Sequence, residues 1–291
     1  MKKVLITGAS SYIGDNVEKW LMQYPERYQV NVLDMIGDAW KEHDFCQYDV
    51  VYHVAGIAHA DVGHVSDEVK NKYYQVNTEL AVAVAKKAKE AGVGQFIFMS
   101  SMIVYGGLEH VTKDTQPQPA NFYGDSKWQA DCRIRELADT AFKVVVVRPP
   151  MIYGKGSKGN YPLLAKMARK LPVFPKVNNK RSMLYIENLC EFVKLMIDNE
   201  EDGVFFPQNE ALVSTSTIVK EIAKMHGHAI WVSGIFAPAV WIGKCVPGKI
   251  GGMCKKAFGS SYYDLEMSQY KHNYVIRKFE ESIKLTEEKE L

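Results

Sequence analysis

Short apolar runs alternate with longer amphipathic stretches through the first half of the chain. The runs are Lys3–Thr7, Gln29–Leu33, Asp49–Val54, Gln95–Ser100 and Lys143–Arg148, each short and rich in β-branched or aromatic side chains. They predict strands. Val144–Val147 is an unbroken run of valines, apolar on both faces, as a strand covered by helices on each side must be. Between the runs the apolar spacing becomes helical. Ile13, Val17, Trp20 and Leu21 share one face and Pro25 follows, while Thr78–Ala91 is made of strong helix formers and closed by Gly92. This alternation continues to about residue 150 and predicts an α/β fold: a Rossmann-type, doubly wound parallel sheet with right-handed crossovers.

Beyond "RPP" at Arg148–Pro150 the pattern loosens. Gly154, Gly156 and Gly159 mark a long loop, and helical stretches recur at about 160–170, 188–199 and 216–226 between proline-containing segments. The expected organisation is a sheet domain over 1–154, with a return segment at about 180–204, and a smaller mixed C-terminal lobe from about 155–179 and 205–291. The longest apolar stretch, Ala229–Gly243, is too short for a membrane span and has Pro238 inside it. It reads as buried or interfacial, and Lys244, Lys249, Lys255 and Lys256 beyond it as a lobe surface.

Composition narrows the function classes. The 291 residues are 47% apolar and 24% charged with a net charge of +2, enough for a large core and without the basic footprint of a nucleic-acid binder. Cys46, Cys132, Cys190, Cys245 and Cys254 are widely spaced, with no C-x-x-C pair, which fits reduced thiols in a cytoplasm. No signal peptide is expected ahead of the first strand. His53, His59 and His64 are irregularly spaced, and no metal site is expected from them.

Two segments carry candidate chemistry. "TGASSYIG", Thr7–Gly14, follows a strand and opens a helix, as a dinucleotide turn does. Gly8 and Gly14 take the roles of tight bend and close helix packing, and the helix start attracts phosphate. Ser11 stands where the middle glycine is usual; its hydroxyl either bonds a phosphate oxygen or crowds it. Asp34, at the end of the second strand, is placed to accept hydrogen bonds from an adenosine ribose, and its charge favours NAD over NADP. In "NFYGDSKWQAD", Asn121–Asp131, Tyr123 and Lys127 lie one helical turn apart, and Ala130, Ile134 and Leu137 continue the stripe inward. A lysine ammonium, with an oxidised nicotinamide, favours the tyrosine phenolate and makes it a usable base. Ser100 and Ser101 end a strand, where open α/β sheets bind ligands.

These motifs, with "DVVYHVAG" (49–56), "VNTEL" (76–80), "SSMIVYG" (100–106), "RPPMIYGKGSKGNY" (148–161) and "RSMLYIENL" (181–189), resemble the extended short-chain dehydrogenase/reductases, especially the NAD-dependent nucleotide-sugar epimerases and dehydratases. The likeness covers roughly residues 1–200. It implies that Tyr123 is the general base, Lys127 its partner and Ser101 the substrate-binding hydroxyl. It implies an NAD site formed by Gly8, Ser10, Ser11, Tyr12, Ile13, Gly14, Asp34, Asp38, Ala55, Gly56, Asn77, Ser100, Tyr123, Lys127 and Pro149. Ser101, Tyr123, Asn160 and Arg181 would hold a nucleotide-sugar substrate, a UDP linkage and a homodimer being the family's habit.

Dehydratases of this family carry an Asp-Glu pair just after the catalytic hydroxyl residue. Met102 and Ile103 stand there and cannot exchange protons, which argues against dehydration. The expected activity is a UDP-hexose 4-epimerase type, passing through a transient 4-keto sugar. The alternatives are an NAD(P)H-dependent 4-keto-sugar reductase and, more remotely, a non-catalytic nucleotide-binding protein.

Overall fold

The computed structural model describes residues 1–58, 65–236, 238, 240, 246 and 249–288. His59, His64, Lys244 and Cys245 lie outside the described residues.

All five predicted strands form: β1 (Lys2–Thr7), β2 (Tyr28–Leu33), β3 (Val50–His53), β4 (Gln95–Met99) and β6 (Lys143–Val147). With β10 (Gly203–Phe205) they make one parallel sheet in the spatial order β10-β6-β4-β3-β1-β2. Alternate residues feed two cores. Val4, Ile6, Val50, Tyr52, Ile97, Val145 and Val147 pack on one face. Leu5, Val51, Phe96, Phe98, Val144 and Val146 pack on the other. The valine run is therefore buried on both sides, because helices cover both.

On the first face lie α1 (Tyr12–Leu21) and α6 (Ile186–Asp198), which pack against each other. On the second lie α3 (Ala81–Glu90) and α4 (Phe122–Arg135). The chain enters α3 through α2 (Asp67–Tyr74) and a wide π-type turn, Gln75–Leu80. The predicted helix 78–91 is thus divided: its first residues belong to that turn. Such turns displace one side chain from the helical register and cluster at functional sites.

The smaller lobe holds β7 (Met151–Tyr153) paired with β9 (Met183–Tyr185), and β8 (Val173–Pro175) paired with β11 (Trp231–Ser233). Its helices are α5 (Asn160–Lys170), α7 (Thr215–Met225), α8 (Lys249–Phe258) and α9 (Phe279–Glu287). A last pair, β5 (His110–Val111) with β12 (Tyr262–Tyr263), joins this lobe to the chain just after β4. Burial of the stretch beginning at Ala229 is not what its described part shows: Trp231 is 62% exposed and Ile235 73%. Of the two expectations for this stretch, buried or interfacial, burial is the one these exposed side chains contradict. Among the described residues no helix is long and apolar enough to cross a membrane.

Candidate active site

β1 lies between β2 and β3, so the crossovers on its two sides diverge and leave a crevice beyond its carboxyl end. Gly8 sits there with φ +125°, and a Cβ on it would stand 2.7 Å from the amide nitrogen of Ala55. Only glycine allows the two chains to pass this closely. Gly14 is equally constrained: a Cβ would reach Val54 at 3.1 Å and crowd the Ser11 hydroxyl.

Ser11 neither reaches for phosphate nor crowds it with its side chain. Its hydroxyl accepts from the Gly14 amide at 3.1 Å and donates to the Gly8 carbonyl at 2.7 Å, making it the N-cap of α1. That serine settles one of the helix's open amides; those of Tyr12 and Ile13 begin the helix beside it. Ser10 takes the left-handed conformation, φ 59°, that turns the chain into the cap. The Tyr12 phenol goes elsewhere: its Oη is buried without a partner, where a Cβ on Gly154 would meet it at 2.7 Å. Ile13 packs against the core.

Asp34 is exposed immediately after β2, as expected, with Oδ1 accepting from the Ile36 amide at 3.0 Å. Asp38 is also exposed and pairs with Lys41 at 2.6 Å, a surface ion pair of little energetic weight.

Across the sheet, α4 brings Tyr123 and Lys127 to the end of β4. Lys127 is 7% exposed; its ammonium donates to the Met99 carbonyl at 2.9 Å and lies 5.0 Å from the Phe98 ring centroid. Burial pulls its pKa down to about 8. Burial pushes the pKa of the Tyr123 phenol up to about 12, and the nearby Ser101 hydroxyl, which favours the phenolate, offsets this only in part. The expected depression of the phenol is therefore not supplied by the protein's own groups. Ser101 also caps the short turn Met102–Tyr105, accepting from the Ile103 amide at 3.2 Å.

Gly56 and Asn77 complete this end. A Cβ on Gly56 would stand 3.0 Å from the Lys127 ammonium and 3.1 Å from Asn77 Oδ1. Asn77, fully buried in the π-type turn, accepts from the Ile57 amide at 2.8 Å and donates to the Ile57 carbonyl and the Ser126 hydroxyl. It supports the wall and is spent on doing so. Pro149 is buried and its carbonyl accepts from Met102, which holds the strand ends of β4 and β6 together.

Residues 4–206 match the NAD dependent epimerase/dehydratase family. The chain belongs to this family. It is 33% identical over 248 residues to the UDP-glucose 4-epimerase of Vibrio cholerae, covering 76% of this chain and 75% of that one. It is 31% identical over 220 residues to the N-acetyl-alpha-D-glucosaminyl-diphospho-ditrans,octacis-undecaprenol 4-epimerase of Escherichia coli O157:H7, covering 69% and 64%. Among solved structures, the UDP-glucose 4-epimerase of Thermus thermophilus in complex with NAD superposes with a TM-score of 0.73 at 18% identity, covering 98% and 97%. A dTDP-4-dehydrorhamnose reductase from Clostridium acetobutylicum ATCC 824 does so at 0.72 and 17%, covering 98% of each chain. At such identities the structures establish the fold alone.

In this epimerase/dehydratase chain one expected ligand, Ser100, is otherwise engaged, and a second, Arg181, is engaged through one nitrogen only. The Ser100 hydroxyl donates to Asp131 at 3.0 Å, deep in the protein, so it is withdrawn from a cofactor. Arg181 donates through one nitrogen to the carbonyls of Lys256 (2.7 Å), Ala257 and Gly259, closing the end of α8. Asn160 is exposed at the start of α5.

The largest feature the sequence reading passed over is Asp131. It is completely buried and accepts from Arg148 through two nitrogens at 2.8 and 2.9 Å, from Arg135 at 2.9 Å and from Ser100. Arg148 also donates to the Tyr105 hydroxyl at 2.7 Å and lies against Tyr105, Trp128 and Phe206. A signal was available: Asp131 is one turn beyond Lys127, a carboxylate on a stripe that points inward. His53 is fully buried, with Nδ1 2.8 Å from the Thr7 hydroxyl and its pKa pulled to about 3 by burial and then by the charge of Lys127. Among the described residues no cluster of metal-ligating side chains occurs.

Proposed function

We propose that this chain is an NAD-dependent 4-epimerase of a hexose carried on a diphosphate, of the UDP-hexose 4-epimerase type. What supports the reading is the Tyr123 phenol near the Ser101 hydroxyl at the end of β4, with Lys127 one turn along the same helix and its ammonium held by the Met99 carbonyl. The cradle fits NAD. Gly8 and Gly14 let the turn close tightly against Ala55 and Val54, the start of α1 offers amides to a pyrophosphate, and the Asp34 carboxylate suits two ribose hydroxyls and repels a 2′-phosphate. Ala55, Gly56 and Pro149 form walls, and Lys127 would hold the nicotinamide ribose. On this reading the sheet domain carries the cofactor, and residues of the smaller lobe, Asn160 and Arg181 among them, hold the substrate's diphosphate.

NAD, when bound, supplies the reversible two-electron oxidation at sugar C4 and a positive charge that favours the phenolate. Tyr123 as phenolate takes the proton from the 4-hydroxyl and returns it when the alcohol is restored. Ser101 donates to the same oxygen as it becomes a carbonyl, and Lys127 stabilises the deprotonated phenol. Donors already aimed at the oxygen on which charge changes need no reorganisation, which is the largest contribution such sites make. Met102 supports epimerisation over dehydration: its sulfur receives the Ser261 hydroxyl at 3.6 Å, and no carboxylate stands there. Proton NMR of C4 in UDP-hexoses with catalytic NAD tests the reading. Inversion without net NADH change supports it; stoichiometric NADH consumption with a 4-keto sugar would replace it with the reductase, whose fold is matched equally well.

A further inference from the structure

Ser100 carries a hydroxyl that the proposed chemistry does not touch, and it stands between the seat of Lys127 and Ser101. The peptide group joining Met99 to Ser100 turns its N–H toward β6, where the Val147 carbonyl accepts at 2.9 Å. In a trans peptide the carbonyl points the other way, here toward β3. β3 is too short to use it, since the last pair of that ladder is His53 with Phe98. The Met99 carbonyl is left for Lys127, whose ammonium donates to it at 2.9 Å. A difference of one residue in strand length thus makes the seat of a buried cation.

The helix grips the same place a second time. Asp131, one turn beyond Lys127 on α4, accepts from the Ser100 hydroxyl at 3.0 Å. Ser100 is 5% exposed and Asp131 is fully buried. Arg148, the residue after β6, holds both carboxylate oxygens at 2.8 and 2.9 Å, and Arg135 adds a bond at 2.9 Å. The carboxylate is therefore fixed to the sheet as well as to the helix. At intervals of four residues along α4, Asp131, Lys127 and Tyr123 meet Ser100, the Met99 carbonyl and the neighbourhood of Ser101. The first contact is dry and held from several sides; the third is where the proton would move. Two other titratable groups face this end. His53 of β3 is kept neutral by burial, and Tyr73 of α2, its ring centroid 5.9 Å from that of Tyr123, has its pKa raised by burial. Neither adds charge at neutral pH, so the Lys127 seat decides how well a phenolate is stabilised.

We infer that Ser100 and Asp131 are a positioning pair, whose hydrogen bond fixes the Met99 carbonyl under the Lys127 ammonium and the Ser101 hydroxyl beside the Tyr123 phenol. This deepens the epimerase reading and rests on it for the roles of Tyr123 and Lys127. Ser100→Ala tests the pair without stranding Arg148, because the carboxylate keeps its three bonds to arginine. Its Tm should fall by no more than about 4 °C, the scale of one hydrogen bond in a chain of this length. At pH 7, kcat for UDP-hexose inversion should fall at least about tenfold, with KM and the calorimetric Kd for NAD within about twofold. The loss should shrink as pH rises, the midpoint of the kcat profile moving up by about one unit, because a poorly seated ammonium favours the phenolate less. Ser100→Thr, which keeps the hydroxyl, should recover most of the turnover. A loss equal at every pH, an unchanged kcat, or a threonine variant as impaired as the alanine one would overturn the inference. A second arm needs no substrate. In NAD-saturated protein labelled with ¹³C at tyrosine Cζ, the Tyr123 resonance is assigned by its absence from Tyr123→Phe. It should titrate about one pH unit higher in Ser100→Ala than in the parent; equal midpoints overturn the pair. Separated midpoints in a chain that inverts no UDP-hexose keep the pair and remove the epimerase.

Discussion

Ser11, Tyr123 and His53 each show a side chain whose role depends on what its neighbours already satisfy. The Ser11 hydroxyl belongs to the helix, so Ser11→Ala should cost about 1 kcal/mol and Ser11→Gly only a few tenths, measured by denaturant unfolding. NAD affinity, by calorimetry, should change little in the glycine variant, because that variant restores the commoner residue of such turns. Tyr123→Phe should retain NAD and lose at least about a hundredfold in turnover, the scale of a missing acid–base group. For His53 the sign follows from its low folded pKa. The unfolded chain takes up the proton first, near pH 6.5, so stability falls as pH drops from there toward about 3, by up to about 1.4 kcal/mol per pH unit. His53→Phe should flatten that part of the profile; an unchanged acid limb would mean that other groups dominate it. At this scale the glycines and the tyrosine–lysine pair were legible, because spacing alone brings them together. The direction of a hydroxyl was not: Ser11 and Ser100 both turn toward partners, Gly14 and Asp131, that only the assembled turn and helix bring near.

The element that decides the proposed chemistry is α4, and its buried face is unusual. Alongside Ala130 and Ile134 it buries Ser126, Lys127 and Asp131, so helix periodicity is clear while hydrophobic contrast is weak. Pairing with Arg148 and the Ser100 hydroxyl compensates the buried carboxylate and fixes α4 against the ends of β4 and β6. Asp131→Ala should therefore destabilise by about 3–5 kcal/mol, since it strands a buried guanidinium. Replacing both partners, Asp131→Leu with Arg148→Met, should cost less than that single change; a double variant as damaged as the sum would contradict this account. Gly124 adds a geometric constraint, because a Cβ there would come 2.8 Å from the Ile103 carbonyl. Gly124→Ala should push the helix from the Met102–Tyr105 turn and lower kcat more than it lowers Tm. The sequence announced this helix through its spacing, and it announced α3 as well. It did not announce the π-type turn before α3, because i→i+5 bonding leaves no compositional trace in "QVNTEL".

At the scale of the whole molecule, the alternation of short apolar runs with helices predicted the parallel sheet, and five of its strands fall within a residue or two of their expected limits. The sixth was not visible as a strand. Gly203–Phe205 is three residues long and becomes one only because the valine edge of β6 offers it a ladder. Its pairing depends on the intervening lobe, which local pattern cannot encode. In the same lobe, of the two expectations for the stretch around Trp231, burial fails, because the small β8–β11 sheet leaves that side chain in water.

The late arrival of β10 also bears on how the protein can be divided. After β6 the polypeptide leaves for β7, α5 and β8, comes back through α6 and β10, and leaves again for α7. A fragment ending near residue 154 would lack the α6 cover over one face and would leave the Val145–Val147 backbone unpaired at an open border. Such a fragment should be recovered as aggregate, whereas the intact chain should melt in a single transition. The portion proposed to hold the coenzyme is thus no transplantable module: its last seam is sewn by residues that have already visited the other half.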